Sequence, residues 1–184
     1  MAHPDDAYIL SLFHEEKTKE KAFKMLIEKY QQVVYHAVRK YVYLHEDAND
    51  VTQNVFIKIW RHLDNFRSES SLKTWITRIC INESLYFIEK KKKTTFFTDD
   101  RYTDHLLNVA AEERFFSSSR IEQLINEAIL KLPEKQRIAF TMRYYDELPY
   151  EEMSKILNTS VGALKASYHF AYKKVEEFLK AAIN

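Results

Sequence analysis

The chain has 184 residues, 46% hydrophobic and 30% charged, with a net charge of +1, which suits a folded soluble protein and excludes a disordered or collagen-like one. One glycine and three prolines leave few residues for the positive-φ turns of β-hairpins, so the predicted fold class is all-α. The single cysteine, Cys80, excludes an internal disulfide and a thiolate metal cage, and its apolar setting in "ITRICI" predicts a small buried hydrophobe. No apolar run approaches the roughly 18 residues of a membrane span. The start, "MAHPDDAYIL", lacks the basic-then-apolar pattern of a signal peptide. The expectation is a cytoplasmic protein that is not itself a membrane protein.

The net charge is divided unevenly. Residues 20–92 carry 13 Lys/Arg against 9 Asp/Glu, residues 93–118 carry 3 against 5, and residues 119–184 carry 10 against 9. Two mildly basic blocks thus flank an acidic joint. In the first block, Phe23, Leu26, Ile27, Tyr30, Val33, Val34, Ala37 and Tyr41 recur at helical steps and predict one long amphipathic helix. A second helix follows in "HEDANDVTQNVFIKIWRHL", with Asp47 as its expected cap and Ala48, Val51, Val55, Ile59 and Leu63 as its core stripe. After the polar connector "DNFRSESS", Ser70 or Ser71 is expected to cap a third helix, "LKTWITRICINESLYFIEKKKK". That helix is apolar almost all round through Phe87, which predicts the buried centre of a three-helix unit. Its terminal lysine run, Lys90 to Lys93, complements the helix dipole or meets phosphate.

Residues 94–119 change to a polar, acidic character and read as a linker with at most one short helix near Asp104–Arg114. The paired aromatics Phe96/Phe97 and Phe115/Phe116 are candidates to pin it down. The predicted boundaries are a first domain over 1–92, a linker over 93–119 and a second domain over 120–184.

The second domain is expected to hold four helices, at about 120–131, 133–145, 149–157 and 160–181, with Pro133 and Pro149 at first helical positions. Asn158 tolerates the left-handed conformation that ends a helix, Thr159 carries the chain round, and Ser160 can cap the next helix. A turn this short between two helices predicts a helix-turn-helix. Val161, Leu164, Tyr168, Ala171, Val175 and Phe178 form one seam, while Gly162, Lys165, Ala166, His169 and Lys173 lie on the opposite face. The only glycine, Gly162, therefore falls on the exposed side of a first turn. There it permits close backbone approach and leaves amides open to phosphate.

Three motifs in order carry a resemblance: "AFKMLIEKYQQVVYHAVRKY", "DVTQNVFIKIWRHLDNFRSESSLKTWITRI" and "LPEKQRIAFTMRYYDELPYEEMSKILNTSVGALK". Together they resemble bacterial sigma factors of the small, two-domain extracytoplasmic-function group of the sigma-70 superfamily, over residues 20–92 and 120–180. The resemblance implies that the first domain binds core RNA polymerase and melts and reads the minus-ten element. It implies that the second domain docks its helix-turn-helix on the minus-thirty-five element. By position, Asp50, Gln53, Asn54 and Ile57 match the polymerase-contact face. Phe66, Arg67, Ser68, Ser70, Ser71, Lys73 and Trp75 match the loop and helix start that capture the minus-ten strand. Such capture needs a pocket, polar groups for base edges and aromatic stacking to offset a few kcal/mol of unstacking; Trp75 reads more readily as core support than as a stacking platform. Ser160, Val161, Gly162, Ala163, Lys165, Ala166, His169 and Lys173 match the minus-thirty-five positions. Many relatives read "SVGTVKSRLHRARK" where this chain reads "SVGALKASYHFAYK"; Ser167, Phe170 and Tyr172 replace three arginines, each a lost phosphate contact.

The near-neutral charge fits a protein that grips duplex DNA feebly alone and acts once polymerase holds both domains. A stand-alone helix-turn-helix regulator is the alternative, but it leaves "DVTQNVFIKIW" without a task. An adaptor that mimics a sigma factor to titrate its inhibitor would be expected beside a receiver domain, for which there is no room. An enzyme is not expected: the seven histidines are scattered, and no metal-ligand spacing or phosphate-binding glycine loop occurs. Acidic residues in "YDELPYEE" are the ordinary companions of a helix start. No cofactor is expected. The implied partners are core RNA polymerase, promoter DNA and an anti-sigma factor, often membrane-bound among relatives.

Overall fold

A computed structural model describes residues 4–94 and 119–183. These contain eight α-helices and no strand. The expected linker helix near Asp104–Arg114 and the aromatic pairs at 96/97 and 115/116 lie outside the described residues. The chain divides into two compact units, Met1–Thr95 and Phe96–Asn184.

The first unit holds α1 (Asp6–Phe13), α2 (Lys19–Arg39), α3 (His45–His62), a single 3-10 turn (Leu63–Asn65) and α4 (Leu72–Thr94). To the three helices expected from periodicity the structure adds α1. It buries Ile9 and Phe13 completely. Phe13 meets Trp60 edge-on at 5.4 Å between ring centroids and Phe23 at 6.4 Å. At its other end, the Asp6 carboxylate accepts bonds from the Tyr30 hydroxyl at 2.8 and 2.9 Å and from Lys29 Nζ at 2.7 Å. Thr18, which precedes α2, turns its hydroxyl back to donate to the Leu12 carbonyl at 2.7 Å, satisfying a terminal acceptor of α1.

The α3 stripe is as periodicity requires: Ala48, Val51, Val55, Ile59 and Leu63 are all buried. They face α2, whose Leu26, Tyr30, Val34, Ala37 and Val38 are buried in turn. Two expectations change. Asp47 is not the cap of α3, because the helix begins two residues earlier and Leu44 stands at the cap position without a side-chain bond. Asp47 instead lies in the first turn and pairs with Lys91 of α4, so one lysine of the terminal run fastens α4 to α3. Nor is α4 the buried centre. It buries Leu72, Ile76, Cys80, Ile81 and Ser84 along one side, while Asn82 and Tyr86 are exposed. The helix packed against α1, α3 and α4 alike is α2. Its longer stripe can face three neighbours at once.

The second unit holds α5 (Arg120–Leu130), α6 (Glu134–Tyr144), α7 (Tyr150–Leu157) and α8 (Val161–Ile183). Its core gathers Ala128, Ile129, Leu132, Phe140, Ala171 and Val175, so α8 spans the unit as its floor. Arg137 is buried and donates to the Leu130 and Leu132 carbonyls at 3.3 Å, holding the end of α5 against the start of α6. Pro133 and Pro149 sit one residue earlier than expected, as extended cap residues rather than at first helical positions. Their fixed φ suits that cap geometry equally well. Among the described residues, three non-glycine residues have positive φ: Ser68, Glu147 and Asn158.

Removing the Phe13 ring should cost about 3–5 kcal/mol of unit stability, because a fully buried aromatic leaves a cavity; urea unfolding of Phe13→Ala checks this. A second outcome follows from Tyr30. Burial, then the Asp6 carboxylate, raises its ionisation well above the usual phenol range. The folded state keeps this proton to higher pH than the unfolded state. The contribution is therefore complete below about pH 10 and is lost as pH rises beyond it. Tyr30→Phe should flatten the fall in stability above pH 10, measured by urea unfolding across that range.

Candidate nucleic-acid interface

The first group of candidate residues rides on α3. Burial of Val51, Val55 and Ile59 on one side forces Asp50, Gln53, Asn54 and Ile57 outward, and all four are exposed. Ile57 is a large aliphatic side chain that remains 48% accessible at the C-terminal end of this polar row. Beside it, Lys58 pairs with Glu83 of α4 at 3.0 Å. The face is thus a mixed acidic, amide and aliphatic surface on a helix held rigidly from behind.

The second group lies where α3 gives way to α4. Leu63 is buried and closes the 3-10 turn, after which Phe66 takes an extended backbone. Phe66 packs on Trp75 at 5.4 Å between ring centroids, and both are half-buried. The two aromatics brace each other, so Trp75 acts first as support for the loop. Between them, Ser68 has φ 57 in the left-handed region, which turns the loop outward. Arg67, Ser68, Ser71 and Lys73 are exposed and Ser70 is half-buried. Of the two expected caps, Ser71 is the one used: its hydroxyl accepts from the Thr74 amide at 3.1 Å. The loop therefore presents a cation, hydroxyls and the edge of an aromatic pair above a fixed base.

The third group lies on α7 and α8. Asn158 adopts φ 47, ψ 46 and ends α7 in the left-handed form, as the turn requires. The Ser160 hydroxyl accepts from the Ala163 amide at 3.2 Å and caps α8. Leu164, Ala171 and Val175 of the seam are buried, and Val161, Tyr168 and Phe178 half-buried. Ser160, Gly162, Ala163, Lys165, Ala166, His169 and Lys173 are exposed. A Cβ built on Gly162 would meet nothing within 4 Å, and its φ is not positive. Neither crowding nor backbone conformation inside the fold requires glycine here.

The sequence reading did not anticipate the aromatic surface beside this helix. Phe140 stacks between Tyr144 at 5.1 Å and Tyr168 at 5.7 Å, and Tyr168 continues to Tyr172 at 6.3 Å. Arg143 lies over the Tyr150 ring at 5.2 Å and Lys165 at 5.8 Å. Burial, then Tyr150, raises the Tyr168 ionisation above the ordinary value. The signal was the pair Phe170 and Tyr172, aromatic at positions of the cation-rich pattern.

Comparison with known proteins decides the family. The Sigma-70 region 2 profile matches residues 26–94 and the Sigma-70, region 4 profile matches residues 122–175. The ECF RNA polymerase sigma-E factor of Escherichia coli K12 is 30% identical over 176 residues, covering 91% of this chain and 92% of that one. This chain belongs to the extracytoplasmic-function group of the sigma-70 family. The RNA polymerase sigma-H factor of Pseudomonas aeruginosa is 28% identical over 172 residues, 88% of each chain. Two solved structures share the fold. One is the sigma factor RpoE in complex with the anti-sigma factor NepR from Bartonella quintana (TM-score 0.59, 22% identity, 87% of this chain and 98% of that chain). The other is CnrH with the cytosolic domain of CnrY (TM-score 0.55, 20% identity, 95% and 94%). The sigma factor described here supports promoter-specific transcription initiation by RNA polymerase. Among its described residues, no helix is long and apolar enough to cross a membrane.

The left-handed turn gives a direct check on the helix-turn-helix. Asn158→Val should destabilise the sigma factor by about 1–2 kcal/mol and Asn158→Gly should be neutral or better, read by urea unfolding. Gly162→Ala should stabilise it by up to about 1 kcal/mol, since the added methyl meets open space.

Proposed function

We propose that the sigma factor acts through three surfaces that only polymerase brings into register. Asp50, Gln53, Asn54 and Ile57 dock on core RNA polymerase. The segment from Phe66 to Trp75 captures and reads the minus-ten strand, with Arg67 and Lys73 meeting phosphate and the serines meeting base edges. The first turn of α8 enters the duplex at the minus-thirty-five element, where Gly162 lets backbone amides approach phosphate and Lys165, His169 and Lys173 line the contact. With Phe170 and Tyr172 in place of arginines, the third grip is weak alone and gains from tethering. The protein works in the cytoplasm, performs no catalysis of its own and needs no cofactor.

The observation that supports this reading best is the α3 face. An isoleucine 48% accessible at the end of an acidic and amide row, on a helix whose other side is fully packed, suits a rigid protein partner. A stand-alone duplex-binding regulator has no use for it. RpoE of Bartonella quintana is held by the anti-sigma factor NepR, and CnrH by the cytosolic domain of CnrY. By likeness of fold, this chain is restrained by an inhibitor of that kind, which covers the same surfaces until released.

The test is run-off transcription with core polymerase, with and without the protein. Specific transcripts should appear only with it, and Asp50→Ala combined with Gln53→Ala should weaken holoenzyme assembly about tenfold or more, as for central interface residues. Gly162→Ala, though more stable, should lower output from promoters that depend on the upstream element. Tight, specific retardation of promoter duplex by the protein alone at physiological salt would favour the regulator instead.

A further inference from the structure

The family profile begins at residue 26, yet the folded unit begins earlier, and what precedes residue 26 reaches the base of the strand-capture loop. Lys19, the first residue of α2, places its ammonium 4.8 Å from the centroid of the Phe13 ring and 5.6 Å from that of Trp60. In that notch its Nζ donates to Asp64 Oδ2 at 2.7 Å. His14 Nδ1, at the end of α1, lies 3.8 Å from the other carboxylate oxygen. The Lys19 side chain is only 22% accessible, so the charge is partly withdrawn from water and held between two rings. Asp64 is the middle residue of the 3-10 turn, and Phe66 leaves that turn as the first residue of the loop.

We propose that Lys19 is a positioning residue for the loop at residues 66–71, acting through Asp64 to fix the turn from which that loop departs. The inference rests on the reading of the loop as the minus-ten strand contact and names what sets its geometry. A half-exposed ion pair adds little to global stability, but this one is placed at the turn from which the loop departs. Without it the 3-10 turn keeps Leu63 in the core and loses its outer tether. The loop then samples more orientations, and strand capture carries the added ordering cost. The Phe13 and Trp60 rings make the lysine stem and charge separable: Lys19→Met keeps a chain of similar length over the rings and removes the cation, whereas Lys19→Arg keeps the cation.

The experiment compares wild type, Lys19→Met, Lys19→Arg and Asp64→Asn in the full chain. Hydrogen exchange of the free protein should show faster exchange over residues 63–71 in Lys19→Met and Asp64→Asn, with the rest of the first unit unchanged and unfolding midpoints close to wild type. In holoenzyme, on promoters recovered by run-off transcription, open-complex formation should fall about fivefold in both variants. Polymerase affinity should stay level, and Lys19→Arg should restore most of the opening. Unchanged exchange over 63–71, opening equal to wild type, a loss that tracks the unfolding midpoint or polymerase affinity, or an arginine variant that behaves like methionine would each overturn the proposal. Should wild-type holoenzyme open no promoter, the reading of the loop fails instead, and the exchange measurement still decides whether Lys19 holds it.

Discussion

The first unit depends on a single demand placed on α3: it must bury one side and show the other. Val51, Val55, Ile59 and Leu63 are sealed against α2, and helical geometry then leaves Asp50, Gln53, Asn54 and Ile57 facing out. The same burial carries through Leu63 into the 3-10 turn, so the helix that carries the exposed face proposed to dock on polymerase also aims the loop that follows it. Ion pairs from α4, through Lys91 to Asp47 and Glu83 to Lys58, tie the two ends of the assembly together. The exposed α3 face and the loop after it are thereby built as one piece.

The second unit meets a related demand with less material. Its α7 is only eight residues long, too short to persist alone in water. It is held by the left-handed turn at Asn158, by the Ser160 cap and by burial of Met153. The seam of α8 supplies the rest: Leu164, Ala171 and Val175 are sealed, and the opposite face stays clear. Aromatic rings fill the flank of this helix where the related pattern carries cations. The surface therefore sets the Tyr172 and Phe170 rings beside Lys165 and Lys173, all exposed.

Much of this is legible in the sequence. Periodicity located α2, α3 and α8 and their buried stripes, because each stripe runs over several turns, and the ranges expected for α5, α6 and α7 match the helices within about two residues. The turn residues marked Asn158 and Ser160, because their chemistry is local. Periodicity failed on α1, where only Ile9 and Phe13, one turn apart, are buried; a single repeat carries no period. It also misjudged α4, whose apolar residues exceed what its packed side needs. Asp47 looked like a cap since it precedes an apolar run, and only a partner 44 residues away in Lys91 shows its use. The Lys19–Asp64 pair, 45 residues apart, has no sequence signature. Of the candidate site, the exposed positions were legible, but the brace between Phe66 and Trp75 and the assignment of the cap to Ser71 were not.

The scarcity of glycine leaves its mark at the bends. Asn158 holds left-handed backbone that its short amide tolerates, but Ser68 and Glu147 hold it too, against a resistance of roughly 1 kcal/mol or more. The molecule thus operates with an untapped margin of durability, since ordinary single substitutions at such corners could toughen it without altering its shape.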